Sequence, residues 1–521
     1  RDVIESRGLG DVYKRQHLIF EISCKWGARR LRNTLRTCPV IQKGKMNNLN
    51  IINQSSAIIL IISISLIFVF VGIYFSKKFK GLNNYLVANR SIGTLSLTTS
   101  LVASALGAWI LFGPASAATW GGIGAVIGYS LGTAFPLFIL IYLGKKFRTS
   151  YPQGKSIIEI IRLRFGPNLY KLILVFSIFY MTIFLIAEVT AVAFLINYIS
   201  GTELWITSLI VISCSLLYTL YGGLRASLIT DNIQFFVFTA LLIISLIFIT
   251  SIETNEFNFE IIKNNNPHLL SFSYLPNYTA GLTFFIAVAA TNLFHQGNWQ
   301  RVYAAKNYEV LKKSLIFSFL IILPIVFFMG FSGLVAVSQD TNVIPDLAFF
   351  SILLKENLII FSVIVIILAI SLTISSIDTL INAISSLVIV DVDKVLNLKN
   401  NHLNISKQFV IFLSVIAFFV ASKGFSILYL FLIADLFCCA AVLSVFYTFY
   451  SKSYDEKNAY VSILIGLIAG LLFFPSPDFS KSILFGVILP MDLAPSYISQ
   501  SLLFCSFIAA TLSPIIAWKL K

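Results

Sequence analysis

ISSIDTLINAISS, residues 374–386, follows the apolar run FSVIVIILAI (361–370) and leads into LVIV (387–390). It places Ser375, Ser376, Asp378, Thr379, Asn382, Ser385 and Ser386 inside a segment otherwise apolar enough to cross a bilayer. A carboxylate near the bilayer centre costs about 2.5–3.5 kcal/mol on insertion scales, so something in the fold must offset it. Residues 358–391 read as one span of about 34 residues, roughly 50 Å as a helix. That exceeds a hydrocarbon core of about 30 Å, so the helix tilts or projects. On a helix, residues three and four apart share a face. Ser371, Ser375, Asp378, Asn382 and Ser385 follow that spacing and form one polar stripe, with Ile, Leu and Val opposite. Ser375 and Ser376 set two hydroxyls beside one point, and the carbonyl of Leu372 lies one turn before. Such oxygens suit hard cations, and a small monovalent ion also uses backbone carbonyls. A lone serine here would do no more than bond its own helix. Five polar residues on one face point to an ion site.

The rest of the chain agrees with a membrane setting. Its 521 residues are 57% hydrophobic and 12% charged, and 47 are phenylalanine. A soluble domain carries about twice that charged fraction. Repeated apolar runs reach the roughly 20 residues that span a bilayer, which a transmembrane barrel would not show. The formal charge of +15 does not imply nucleic acid. Eleven of the 38 Lys and Arg lie in residues 1–45, and the others cluster in short loops. Residues 1–45 are polar and unpatterned and read as a non-native leader, with Met46 as the expected start. The six cysteines form no CxxC and the four histidines are scattered, so no metal centre is expected. There is no nucleophile–base pair for an enzyme and no repeated filter segment for a channel.

Thirteen spans are predicted, near 55–76, 92–118, 120–147, 168–199, 203–222, 230–252, 278–299, 310–337, 358–391, 407–422, 425–450, 459–475 and 499–519. With the loop after span 1 cytoplasmic, 23 Lys and Arg fall in inside loops and four in outside loops. That bias predicts an outside N-terminus and a cytoplasmic C-terminus. Two spans look interrupted. Span 2 reads SLVASALGAWILFGPASAATWGG, and span 7 reads AGLTFFIAVAATNLFHQGNWQR. Interrupted segments in corresponding positions of two halves point to an inverted-repeat transporter with a midplane site.

ISSIDTLINAISSLVIVDV resembles the signature of the sodium:solute symporter family, with Ser375, Ser376, Asp378 and Asp391 in register. YLVANRSIG, QRVYAAK and YTLYGGLRASLITDNIQ resemble three further segments of that family. The resemblance covers Met46 to the end. It implies an all-α polytopic protein with a leucine-transporter-like five-plus-five core: 46–91 as first span and loop, 92–252 and 278–450 as the repeats, and 451–521 as two further spans. It also implies a sodium site where span 2 meets span 9, built from the carbonyls of Ala103, Leu106 and Leu372 and the hydroxyls of Ser375 and Ser376. The proline-transporter branch carries Asp where this chain has Ala105, which argues against proline.

The implied function is sodium-coupled import of a small polar organic solute by alternating access. Sodium is the coupling ion, and no organic cofactor is expected. Substrate is expected between spans 2, 4, 7 and 11, with Ser104, Gly107, Glu188, Thr291, His295, Gln296 and Asp435 as candidate lining residues. Glu188 and Asp435 suit a cationic or amide substrate, or carry a proton themselves. HQGNWQR and ADLFCCA resemble the urea-transporter side of the family. Asp378, Asn382 and Ser385 are the candidate ion path inward. A bacterial-type inner membrane is the expected location, with the bilayer and a small solute as partners, no nucleic acid, and oligomeric state open. Proton coupling, or a transporter-like sensor with a separate partner, are the alternatives.

Overall fold

The computed structural model describes residues 48–77, 81–251, 259–355, 358–396, 402–449, 455–477, 479, 481–488 and 494–519. The leader at 1–45 and Met46 lie outside them. Among the described residues there is no strand, only the isolated bridges Ile92–Ala305 and Pro475–Ser482. Nine described helices are long and apolar enough to cross a membrane.

The main helices are α1 Gln54–Ser76, α2 Leu82–Val87, α3 Thr94–Ala105, α4 Gly113–Ser150, α5 Ile157–Arg164, α6 Pro167–Ser200, α7 Leu204–Ser251, α8 Leu275–Phe294 and α9 Gln296–Ala304. They continue with α10 Tyr308–Gln339, α11 Ile359–Leu387, α12 His402–Ala421, α13 Ile427–Thr448, α14 Glu456–Phe473 and α15 Leu502–Lys519. Several starts are capped by short polar side chains. Asn53 accepts from Ser56 N–H, Ser156 from Glu159 N–H, Asn307 from Val310 N–H and Asp455 from Asn458 N–H. Each satisfies a donor that the first helical turn leaves unpaired.

All thirteen predicted spans map onto these helices, with two differences in how they join. Spans 2 and 3 meet inside α4 without a loop, at Gly122, and spans 5 and 6 meet inside α7 at Gly223. Both glycines have φ near +60°, a conformation costly for residues with a Cβ. A Cβ there would also collide with the Leu269 carbonyl at Gly122 and the Tyr85 ring at Gly223. The sequence reading left several residues between spans 5 and 6, where a single residue turns the chain. It also did not separate the short helices α2 and α5 from loops.

Span 9 is the enclosed centre. Residues 368–391 of α11 and the π-turn that continues it are all buried. A helix apolar on most of its circumference belongs in such a place. Its polar stripe therefore faces protein: α7 on one stretch, and α2 and α12 on another.

Candidate functional site

Both interrupted spans are broken against α11, where Gly107 meets Ser376 and Gly297 meets Thr379. In span 2, α3 ends at Leu106 (φ −104°, ψ 88°), and Gly107 runs extended before a short 3-10 turn, Ala108–Leu111. A helix that stops leaves its last carbonyls and next N–H groups without helical partners. Glu188 of α6 supplies an acceptor: its Oε2 takes the Ala108 N–H at 2.9 Å. A Cβ on Gly107 would overlap both Glu188 Oε1 and Ser376 Oγ, so the break, the carboxylate and span 9 meet at one point. In span 7 the break is at His295 (φ −61°, ψ 108°). Neighbouring side chains take up its freed carbonyls. Tyr180 Oη donates to Phe294 O at 3.0 Å, Trp299 Nε1 to Leu293 O at 2.7 Å and Asn298 Nδ2 to Asn292 O at 2.9 Å.

The five expected sodium ligands are all buried, Ala103 and Leu106 at the break and Leu372, Ser375 and Ser376 on α11. Ser375 Oγ donates its proton to Asp231 Oδ1 at 2.7 Å. A hydroxyl that ligates a cation must turn its hydrogen elsewhere and offer its lone pairs, and Asp231 is an acceptor that would permit this. Asp231 itself pairs with Arg301 at 2.8 Å, both fully buried, and accepts from Ser100 at 2.6 Å. Arg301 also donates to Ser100, the Gly297 carbonyl and Thr379. Asp231 sits in the TDNIQ segment, which sequence reasoning noticed without assigning it a role. A second acid inside an apolar helix was the available signal.

One cavity opens beside these elements. Ser104, Glu188, Thr291, His295 and Asp435 line it, as do Ser376 and Asn292. Trp109, Tyr129, Phe184 and Phe431 supply aromatic walls, which sequence reasoning missed because they lie on four separate helical segments. Trp109 stacks on Tyr129 with centroids 5.6 Å apart. Glu188 and Asp435 are 1% and 4% exposed, and among the described residues no lysine or arginine lines the cavity. Thr291 Oγ1 donates to Asp435 at 2.7 Å.

Two candidate substrate residues are placed off the lining. Gly107 lies behind Glu188. Gln296 points toward α5, donating to Lys155 O and Ser386 Oγ and accepting the Ile157 N–H at 3.2 Å. Along the candidate inward path, Asp378 accepts from Tyr218 at 2.6 Å, Ser227 at 2.8 Å and Thr230 at 3.1 Å. Ser385 bonds Tyr85 and Ser406, and the buried Asn382 amide has no hydrogen-bond partner among the described residues.

Known proteins carry the same plan. The chain is 27% identical over 424 residues to the spermidine transporter DUR31 of Candida albicans, covering 78% of each. It is 24% identical to the sodium/glucose cotransporter of Vibrio parahaemolyticus, covering 53% of this chain and 54% of that one. Among solved structures, a Na+-coupled sialic acid symporter in a substrate-bound outward-open state superposes with a TM-score of 0.66 at 17% identity, covering 88% of this chain and 97% of that chain. The transporter MHP1, closed with bromovinylhydantoin bound, superposes with a TM-score of 0.52 at 12% identity, over 84% and 94%. These likenesses establish a leucine-transporter-type fold. The sequence profile of the sodium:solute symporter family matches residues 85–466, spanning both broken helices, the TDNIQ acid and the serine pair: this chain belongs to that family.

Proposed function

We propose that this protein is a sodium-coupled symporter whose substrate is a small organic amine. The observation that carries this is the cavity: two buried acids, Glu188 and Asp435, aromatic walls, and no lysine or arginine among the described residues that line it. A buried acid needs a counter-charge, and an ammonium group supplies one. Aromatic faces add cation–π attraction. The 78% mutual coverage with a spermidine transporter supports the same class.

Sodium binds at the span 2 break, held by the carbonyls of Ala103, Leu106 and Leu372 and the hydroxyls of Ser375 and Ser376. Because Ser376 also lines the cavity, ion and substrate favour the same closed arrangement, and each raises the other's affinity. The repeats 92–252 and 278–450 rock against one another to expose the site to either side. Asp378, Asn382 and Ser385 form the route inward. The N-terminus is outside and the C-terminus cytoplasmic, in a bacterial-type inner membrane.

Uptake of radiolabelled spermidine or putrescine into proteoliposomes is the test. An inward sodium gradient should drive it, and Ser376→Ala should raise the half-saturating sodium concentration about tenfold, the loss of one ligand worth about 1.4 kcal/mol. Amine uptake indifferent to sodium would remove the coupling ion, and sodium-driven uptake of neutral solutes in place of amines would remove the substrate class.

A further inference from the structure

Glu188 and Asp435 are both acids of one cavity, but they are held differently. Asp435 bonds the hydroxyl of Thr291, on a helix that also lines the cavity. Glu188 is fixed to backbone: its Oε2 accepts the Ala108 N–H that the break in span 2 leaves free. Its other oxygen and Ser376 Oγ crowd the same point over Gly107, where even one added carbon would not fit. In transporters with broken helices, the N–H groups at the break are where an anionic substrate group is received. Here a side chain of the protein already stands there.

Resting on the amine reading above, we propose that Glu188 is a specificity-determining residue. It supplies from the protein the carboxylate that an amino-acid substrate would bring. The site therefore takes amines without an α-carboxylate and turns away the amino acids that differ from them by that group alone. Two consequences follow from charge and space. Where a bound ammonium keeps both cavity acids ionised, an α-carboxylate would be a third negative group in a poorly screened interior. The space against Ala108 N–H and Gly107 is filled by Glu188, so that third group has no donor waiting for it. Glu188 also brings a negative group beside Ser376, on the sodium side of the cavity, as a substrate carboxylate would. An amine without a carboxylate can then be coupled to sodium in the same place.

Matched ligand pairs test this: cadaverine with lysine, putrescine with ornithine, and agmatine with arginine. Binding to the purified full-length protein is measured by titration calorimetry in sodium. Wild type should bind each amine about tenfold or more tighter than its amino acid. Glu188→Gln keeps the volume and an oxygen for the Ala108 N–H while removing the charge, so it should fold as wild type does. It should bring each pair within about threefold, chiefly because the amino acid gains. Glu188→Ala, if it folds, should go further and favour the amino acid. An unchanged ratio in Glu188→Gln, or a wild type that binds both members alike, overturns the role of Glu188 and leaves the amine site standing. Loss of both ligands in a Glu188→Gln protein that unfolds at the wild-type temperature makes Glu188 an anchor and overturns the proposal as well. A wild type that binds no amine in sodium overturns the amine site and this proposal together.

Discussion

Among the buried acids of the described residues, two pairs have opposite surroundings. Asp231 and Asp378 are enclosed by donors: Arg301, Ser100 and Ser375 around the first, Tyr218, Ser227 and Thr230 around the second. Glu188 and Asp435 face a cavity, with the Ala108 N–H and the Thr291 hydroxyl as their partners. An acid surrounded by donors is part of the architecture, because its charge is already balanced or spread over hydrogen bonds. An acid at a cavity wall is available to a ligand. The first pair ties α7, α9 and α11 together, and in the proposed function the second pair meets the positive group of the substrate.

Substitutions separate the two kinds, beginning where the cost is greatest. Arg301→Gln should destabilise the fold by about 3–5 kcal/mol, because it leaves Asp231 buried without its ion-pair partner. Unfolding in detergent measures this, and adding Asp231→Asn should restore part of the loss. A wild-type unfolding midpoint for Arg301→Gln would end the architectural reading of that pair. Asp378→Asn comes next. An amide presents an NH2 where the carboxylate accepted a hydroxyl, at a cost of about 1–3 kcal/mol. Sodium-driven uptake should also slow if Asp378 belongs to the inward path, and a variant transporting at the wild-type rate would remove it from that path. Asp435→Asn should change stability least, by about 1 kcal/mol or less, since the amide oxygen still accepts from Thr291. Its effect should appear in amine binding instead, as a loss of about tenfold or more. A destabilisation as large as that of Arg301→Gln would merge the two kinds of acid into one.

Much of this plan was legible in the chain. The four-three spacing of Ser371, Ser375, Asp378, Asn382 and Ser385 announced one polar face, and α11 carries it as one helix. The glycines and small residues of span 2 and the HQGN of span 7 marked the breaks, which the structure puts at Leu106–Gly107 and His295. The turns at Gly122 and Gly223 had a signal as well, since TWGG and LYGG each put an aromatic before a glycine pair. Gln296 shows the limit. Its type and its place beside His295 suited a lining residue, but the first turn of α9 aims it at α5. One residue of rotation about a helix is about 100°, and sequence does not set which side meets the cavity.

Membrane class, the number of apolar runs, the stripe and the breaks depend on local composition and period, so the sequence alone determined them. Whether an acid is satisfied or waiting depends on partners far along the chain. Asp231 meets Arg301 seventy residues away, and Ser375 lies 144 residues from Asp231. Glu188 reaches Ala108 across 80 residues. Only the packing of α6, α7, α9 and α11 brings those groups within hydrogen-bond distance, and that packing alone separates the acids ringed by donors from those lining the cavity.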